Sequence, residues 1–221
     1  YTLYEKKSSE LQVLLATTLF TLTEKEPKTL VSKELLLWLL IQNKDFEKAF
    51  DISKDIDIQN DKDGEGLLEL GKIALSNNDY AQATKCFSYV VQKGSMGDYY
   101  EEALRNLLET SYDRLFKSYA PIDLNQVKGL ETEYQKALEE LGESKSSAEI
   151  FKNLAHIRAF YLDNAESAIN VLQKAIQSPN YEFYRGSLNM ELADIYLFTN
   201  DIWSANMLYA SIALNNKNND I

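Results

Sequence analysis

The sequence predicts an all-α chain built as a stack of helical hairpins. Three observations lead there. Apolar residues recur at three- and four-residue spacing along nearly the whole length, β-branched alternation is almost absent, and short Asn/Asp clusters punctuate the pattern. The clusters are NKDF (43–46), NNDY (77–80), LDNAE (162–166) and TNDIW (199–203). Asp45, Asp79, Asn164 and Asp201 can each accept a hydrogen bond from the free N–H groups that open the next helix. Each cluster is therefore expected to close one hairpin.

In chain order, residues 5–25 read as one helix within an N-terminal segment 1–27, either the second half of a preceding hairpin or a cap. Residues 28–60 form a first hairpin about Asp45, and 61–95 a second about Asp79. Across 96–145 the pattern stretches. DYYEEALRNLLETSYDRLFKSYA (98–120) reads as a long helix stopped by Pro121, and 122–144 as its partner. The extra residues read as lengthened helices, with a local insertion loop as the alternative. Residues 146–180 form a fourth hairpin about Asn164, and 181–221 a fifth about Asp201, with Pro179 between them. The expectation is about eleven helices in a single domain over 1–221. A chain that opens on Tyr1 and stops at NNKNNDI is expected to be a piece of a longer repeat protein.

Composition narrows the function. Twenty-three basic against 34 acidic residues give a net charge of −11, so phosphate backbones and anionic lipid would be repelled, and no nucleic-acid partner is expected. No apolar run reaches the roughly 18–20 residues of a membrane span; LQVLLATTLFTL (11–22) is broken by Gln and Thr. A soluble protein is expected, cytoplasmic or periplasmic. Cys86 is the only cysteine, which excludes an internal disulfide or a cysteine-based zinc site. In NDKDGEGLLEL (60–70), Asp61, Asp63 and Gly64 fall at calcium-loop spacing, but Gln59 and Leu70 occupy the first and twelfth places, so a solvated turn is the better reading. His156, the only histidine, has no motif around it that would supply an oriented partner and a nucleophile. Glu101–Glu102 and Glu139–Glu140 read as solvated helix faces. No catalytic residue, metal or cofactor is expected.

An alanine lies four residues beyond each cap, at Ala49, Ala83, Ala168 and Ala205. Ala49 and Ala83 are 34 residues apart, Ala168 and Ala205 37, and the 85 between Ala83 and Ala168 hold one 34-residue unit and one of 51. The second hairpin carries Leu67, Leu70, Gly71, Ala74, Ala83, Phe87 and Val90 in a pattern of small, alanine and large positions. The fifth carries Leu192, Ala193, Tyr196, Ala205, Tyr209 and Ile212, and the fourth Ala155, Ala159, Ala168, Leu172 and Ala175. The first is weaker, with Leu37 in the small place and Ser53 in the aromatic one. In period and positions the chain resembles the tetratricopeptide repeat family. Its wording DIYLFTNDIWSANMLY resembles large bacterial members.

That resemblance implies a right-handed α-solenoid of about five hairpins in which Gly71 and Ala83 let two helices cross closely beside Phe87. It also implies a concave groove, lined by the first helix of each hairpin, that holds a peptide or helix of a partner protein. Carried across, the groove positions include Trp38, Leu68 and Lys72, then Asn153, Ile157, Phe160 and Tyr161, and Met190, Asp194 and Phe198. Members that grip a C-terminal carboxylate use Lys and Asn where this chain has Glu34 and Trp38, or Leu68 and Lys72, so an apolar or helical partner segment is favoured over a carboxylate. The role implied is a non-catalytic interaction scaffold. The alternative is a spacer or self-association module acting through its terminal helices.

Overall fold

The computed structural model describes residues 2–26, 29–117 and 121–219, and the chain divides into two compact units, 1–110 and 111–221. Tyr1, the last residues of the expected 98–120 helix, and the closing Asp220 and Ile221 lie outside the described residues. Eleven α-helices and no strand are found among the described residues.

The first unit holds α1 (Thr2–Lys25), α2 (Leu30–Gln42), α3 (Phe46–Gln59), α4 (Glu65–Ser76), α5 (Tyr80–Gln92) and the start of α6 (Tyr100–Phe116). Each of α1 to α4 packs on the next, and α3 also touches α5. The core gathers Leu36, Leu39 and Leu40 with Phe46, Ala49, Leu67, Leu70, Ala74, Ala83 and Phe87. The second unit holds the end of α6, then α7 (Leu124–Leu141), α8 (Ser147–Phe160), α9 (Ala165–Gln177), α10 (Arg185–Phe198) and α11 (Ile202–Asn219). There α8 packs on α7, α9 and α10, and α10 also packs on α9 and α11. Its core gathers Ala155, Ala159, Ala168, Leu172, Ala175, Tyr181, Leu188 and Leu192.

One local device makes the hairpins. At the end of α2, Lys44 takes the left-handed conformation (φ 58°), the Asp45 N–H donates back to the Leu40 carbonyl, and the Lys44 N–H donates to that of Ile41. The side chain of Asp45 then accepts from the Lys48 N–H and opens α3. The same sequence of events recurs at Asn78–Asp79 and at Asn200–Asp201, with Asp79 accepting from Gln82 N–H and Asp201 from Ser204 N–H. Asp163–Asn164 is a variant in which the Asn164 N–H reaches the Arg158 carbonyl. Asn and Asp serve both halves of this turn because their short polar side chains tolerate positive φ and cap the next helix.

Gly71 sits at the closest crossing. A Cβ there would lie 2.6 Å from Cε1 of Phe87, a fully buried ring, so only glycine lets α4 approach α5 with Phe87 in place. Cys86 lies in the same core, and burial pushes its thiol up to about 12, which leaves it protonated and unreactive at neutral pH.

In the irregular stretch over 96–145 the extra residues lie in lengthened helices, 17 residues in α6 and 18 in α7, but the stretch departs from expectation in two ways. Those helices are shorter than the spans read from the sequence: turns over 93–99 with Gly94 at φ 105° delay α6, and Gly142 at φ 59° ends α7. The two do not close as a tight hairpin. A cavity of about 670 Å³, lined by Arg114, Leu115, Gln126 and Leu130 among others, separates the end of α6 from α7, whose packing partner is α8. A 3-10 turn over Pro179–Tyr184, not read from the sequence, precedes α10 and plugs the core with Tyr181.

Candidate functional site

The ten residues expected to line a groove meet different fates. In the first unit Trp38 stands exposed on α2, whereas Leu68 is buried, because the second position of a helical pair of leucines turns into the core with Leu67. Lys72 is bound by Glu69 and Glu102, each at 2.7 Å. Burial works against its charge, but the two carboxylates outweigh that and raise its pKa. A carboxylate ligand arriving there would meet a cation already shared between two acids.

In the second unit Ile157 is fully buried and cannot reach a ligand, since α8 is covered on both flanks by α7 and α10. Asn153 is half-buried, its side-chain amide donating to the Tyr134 hydroxyl at 3.3 Å. Phe160, Tyr161, Met190, Asp194 and Phe198 retain access to solvent.

Three of these belong to a chain of touching rings. Phe198 on α10 meets Phe160 on α8 edge-on, with centroids 4.9 Å apart, and Phe160 lies 4.6 Å from the His156 ring. His156 contacts Tyr112 and Tyr161 at 6.1 and 6.0 Å, and Phe116 closes the series at 4.1 Å from Tyr161 and 4.6 Å from Tyr112. Edge-on and tilted pairs at these separations are the favoured aromatic geometries. The set therefore forms one ordered surface, contributed by the end of α6, by α8 and by α10.

Polar groups fix it. His156 Nδ1 lies 2.8 Å from Glu191 Oε1, and Asp194, one turn further along α10, accepts the hydroxyl hydrogen of Tyr209. That hydrogen bond, with burial second, pushes the Tyr209 phenol up to about 12. Burial foremost, then the nearby Tyr161 and Glu191, also raises the pKa of Tyr112, so it stays a neutral hydroxyl.

Of this ring series, Phe160, Tyr161 and Phe198 were among the groove residues expected from the sequence, which offered no oriented partner for His156 and did not single out Tyr112, Phe116 or Glu191. The signal for the first two was the four-residue spacing of Tyr112 and Phe116 on the long helix, which puts them on one face. The arrangement offers a rigid apolar surface with an acidic edge. Among the described residues no group of three or more His, Cys, Asp or Glu side chains could hold a metal ion, and no helix is long and apolar enough to cross a membrane.

These consecutive hairpins, with their doubly used Asn/Asp turns, define an all-α fold of helical hairpins. No protein-family model and no curated protein matches the chain. Solved structures do. BtubC (BKLC) from P. vanneervenii is similar with a TM-score of 0.57 at 14% identity, over 97% of this chain and 92% of that one. MamA, from residue 41 to its end, of Desulfovibrio magneticus RS-1 is similar with a TM-score of 0.56 at 14% identity, over 86% of this chain and 96% of that one. YrrB, described as a TPR protein with an unusual peptide-binding site, gives a TM-score of 0.47 at 14% identity, over 92% and 99%. Likeness at such identities concerns the fold alone.

Proposed function

We propose that the protein is a non-catalytic interaction scaffold, and that a partner protein lays an apolar segment against the aromatic surface of the second unit. The observation carrying this reading is the unbroken ring series from Phe198 through Phe160 and His156 to Phe116, ordered before any ligand arrives and open to solvent at Phe198. Rigid aromatic groups lose little entropy on binding and supply much of the affinity at protein interfaces.

The test compares three immobilised baits in native lysate: the natural chain, Phe160→Ala with Tyr161→Ala, and Phe198→Ala. The natural chain is expected to retain a protein that the double variant loses. Phe198 is exposed, so its truncation should leave the fold intact while weakening that partner roughly tenfold or more in calorimetry. Identical protein sets on all three baits would contradict the reading.

A second reading, self-association, draws on a different observation. Leu11, Leu14, Leu15 and Leu22 stand exposed along one side of α1, as do Ile202, Trp203 and Met207 on α11. A molecular mass in light scattering that rises with concentration would favour it.

A further inference from the structure

Resting on the scaffold reading above, we infer that the segment recognised at this aromatic surface is basic: it presents an arginine or lysine side chain that lies over the rings and against Glu191 and Asp194. Three facts meet here. Glu191, Asp194 and Phe198 follow one another at three- and four-residue steps along α10, so two carboxylates border the ring series on a single helix face. All the cations that α8 and α10 carry are already engaged: Lys152 with Glu149, Arg158 with Glu131 and Arg185 with Glu182. Just after α6, Lys117 is paired with Asp113 at 2.7 Å, and Arg114 on α6 lines the cavity towards α7. Among the described residues neither acid at the ring border forms an ion pair with a lysine or arginine.

Glu191 uses one carboxylate oxygen on His156 and Asp194 uses one on Tyr209, which leaves each acid with further acceptor capacity. A guanidinium satisfies both parts of such a surface at once, because its planar face stacks on aromatic rings while its edge donates to carboxylates. The net charge of −11 adds long-range attraction for the same class of segment and repels an acidic one.

The probe is a displayed library of random 16-residue peptides, selected in parallel on the natural chain, on Phe160→Ala with Tyr161→Ala, and on Glu191→Gln with Asp194→Asn. The double alanine variant keeps the full net charge, so any peptide held by bulk acidity alone survives on it and is subtracted. Sequences retained only by the natural chain are expected to be enriched in Arg or Lys beside Leu, Ile or aromatic residues. Synthetic copies of them should bind roughly tenfold more weakly to Glu191→Gln with Asp194→Asn, and less tightly as salt rises. Selected peptides that are apolar or acidic without enrichment of Arg or Lys, or whose affinity ignores the carboxylate variant, would overturn the basic-segment inference and leave the aromatic docking surface standing. No peptide distinguishing the natural chain from the double alanine variant would remove that surface itself. Circular dichroism of the carboxylate variant, expected to match the natural chain, keeps a loss of binding from being a loss of fold.

Discussion

Asp57→Ala is expected to lower the unfolding free energy by about 2–4 kcal/mol, the largest loss from any single polar truncation in the first unit. Asp57 sits near the end of α3 with its side chain only 4% exposed. One carboxylate oxygen accepts the Gly64 N–H at 2.7 Å, and the other accepts the Tyr89 hydroxyl at 3.0 Å and meets Lys93 Nζ at 2.7 Å. A single side chain thus ties the end of the first hairpin to the first turn of α4 and the last turn of α5. Gly64 is held at φ 91°, and a Cβ there would fall 2.9 Å from a methyl of Val90, so the turn that Asp57 clamps admits little else.

Removing the carboxylate leaves a buried N–H and a phenol without their acceptor, and the Lys93 ammonium with only the Lys62 carbonyl. Lys93 is 28% exposed and can recover some hydration, which keeps the loss below that of a fully buried charge. Asp57→Asn retains an acceptor and should cost about half as much. Urea unfolding with an unchanged m-value reads both. The cluster also gives stability an alkaline limit. For Lys93 burial opposes the charge, yet Asp57 outweighs it and holds the pKa above its ordinary 10.5; burial and the Asp57 hydrogen bond raise Tyr89 above 10.0. Both groups therefore stabilise fully below pH 10, and their contribution falls as pH rises through the folded values. A midpoint unchanged by Asp57→Ala would mean that the clamp is only a surface contact.

Ala83→Leu is the second large effect, with an expected destabilisation on the order of 1–3 kcal/mol from overpacking the crossing of α4 and α5. Ala83 is fully buried, and the neighbouring space is already filled by Phe87. Gly71→Ala probes the same contact from the facing helix. Alanine gains about 1 kcal/mol of helix propensity over glycine, so a net loss would isolate the steric conflict with the Phe87 ring. Shrinking that ring in Gly71→Ala with Phe87→Leu should recover part of the loss, giving a combined effect smaller than the sum of the single ones. Strict additivity would show that the two positions do not meet.

These two sites mark what a sequence can and cannot disclose. Gly71, Ala83 and Phe87 were legible because they fall within one 34-residue frame, and the caps were legible because Asn and Asp act locally, through hydrogen bonds to residues three positions away. Asp57 was not. Its partners lie seven, 32 and 36 positions on, and nothing local distinguishes it from Asp51 or Asp55 on the same helix. The aromatic surface divides the same way. Phe160, Tyr161 and Phe198 came from the repeat frame, whereas Tyr112 and Phe116 lie on the long helix, where the frame is broken and no position could be carried over. Leu68 and Ile157 hold groove positions in that frame yet pack inward, because which flank of a helix is covered depends on its neighbours rather than on its own periodicity.

The measurement that bears most directly on the scaffold account is site-specific photocrosslinking in native lysate. Phe198, on the ring series, and Phe183, 92% exposed in the 3-10 turn and outside that series, are each replaced by a photoreactive phenylalanine analogue. A discrete crosslinked protein from position 198, absent from position 183 and lost when Phe160→Ala and Tyr161→Ala are added, is the predicted result. Equal crosslinking from both positions, or none from 198 beside a product from 183, would place the partner elsewhere on the molecule.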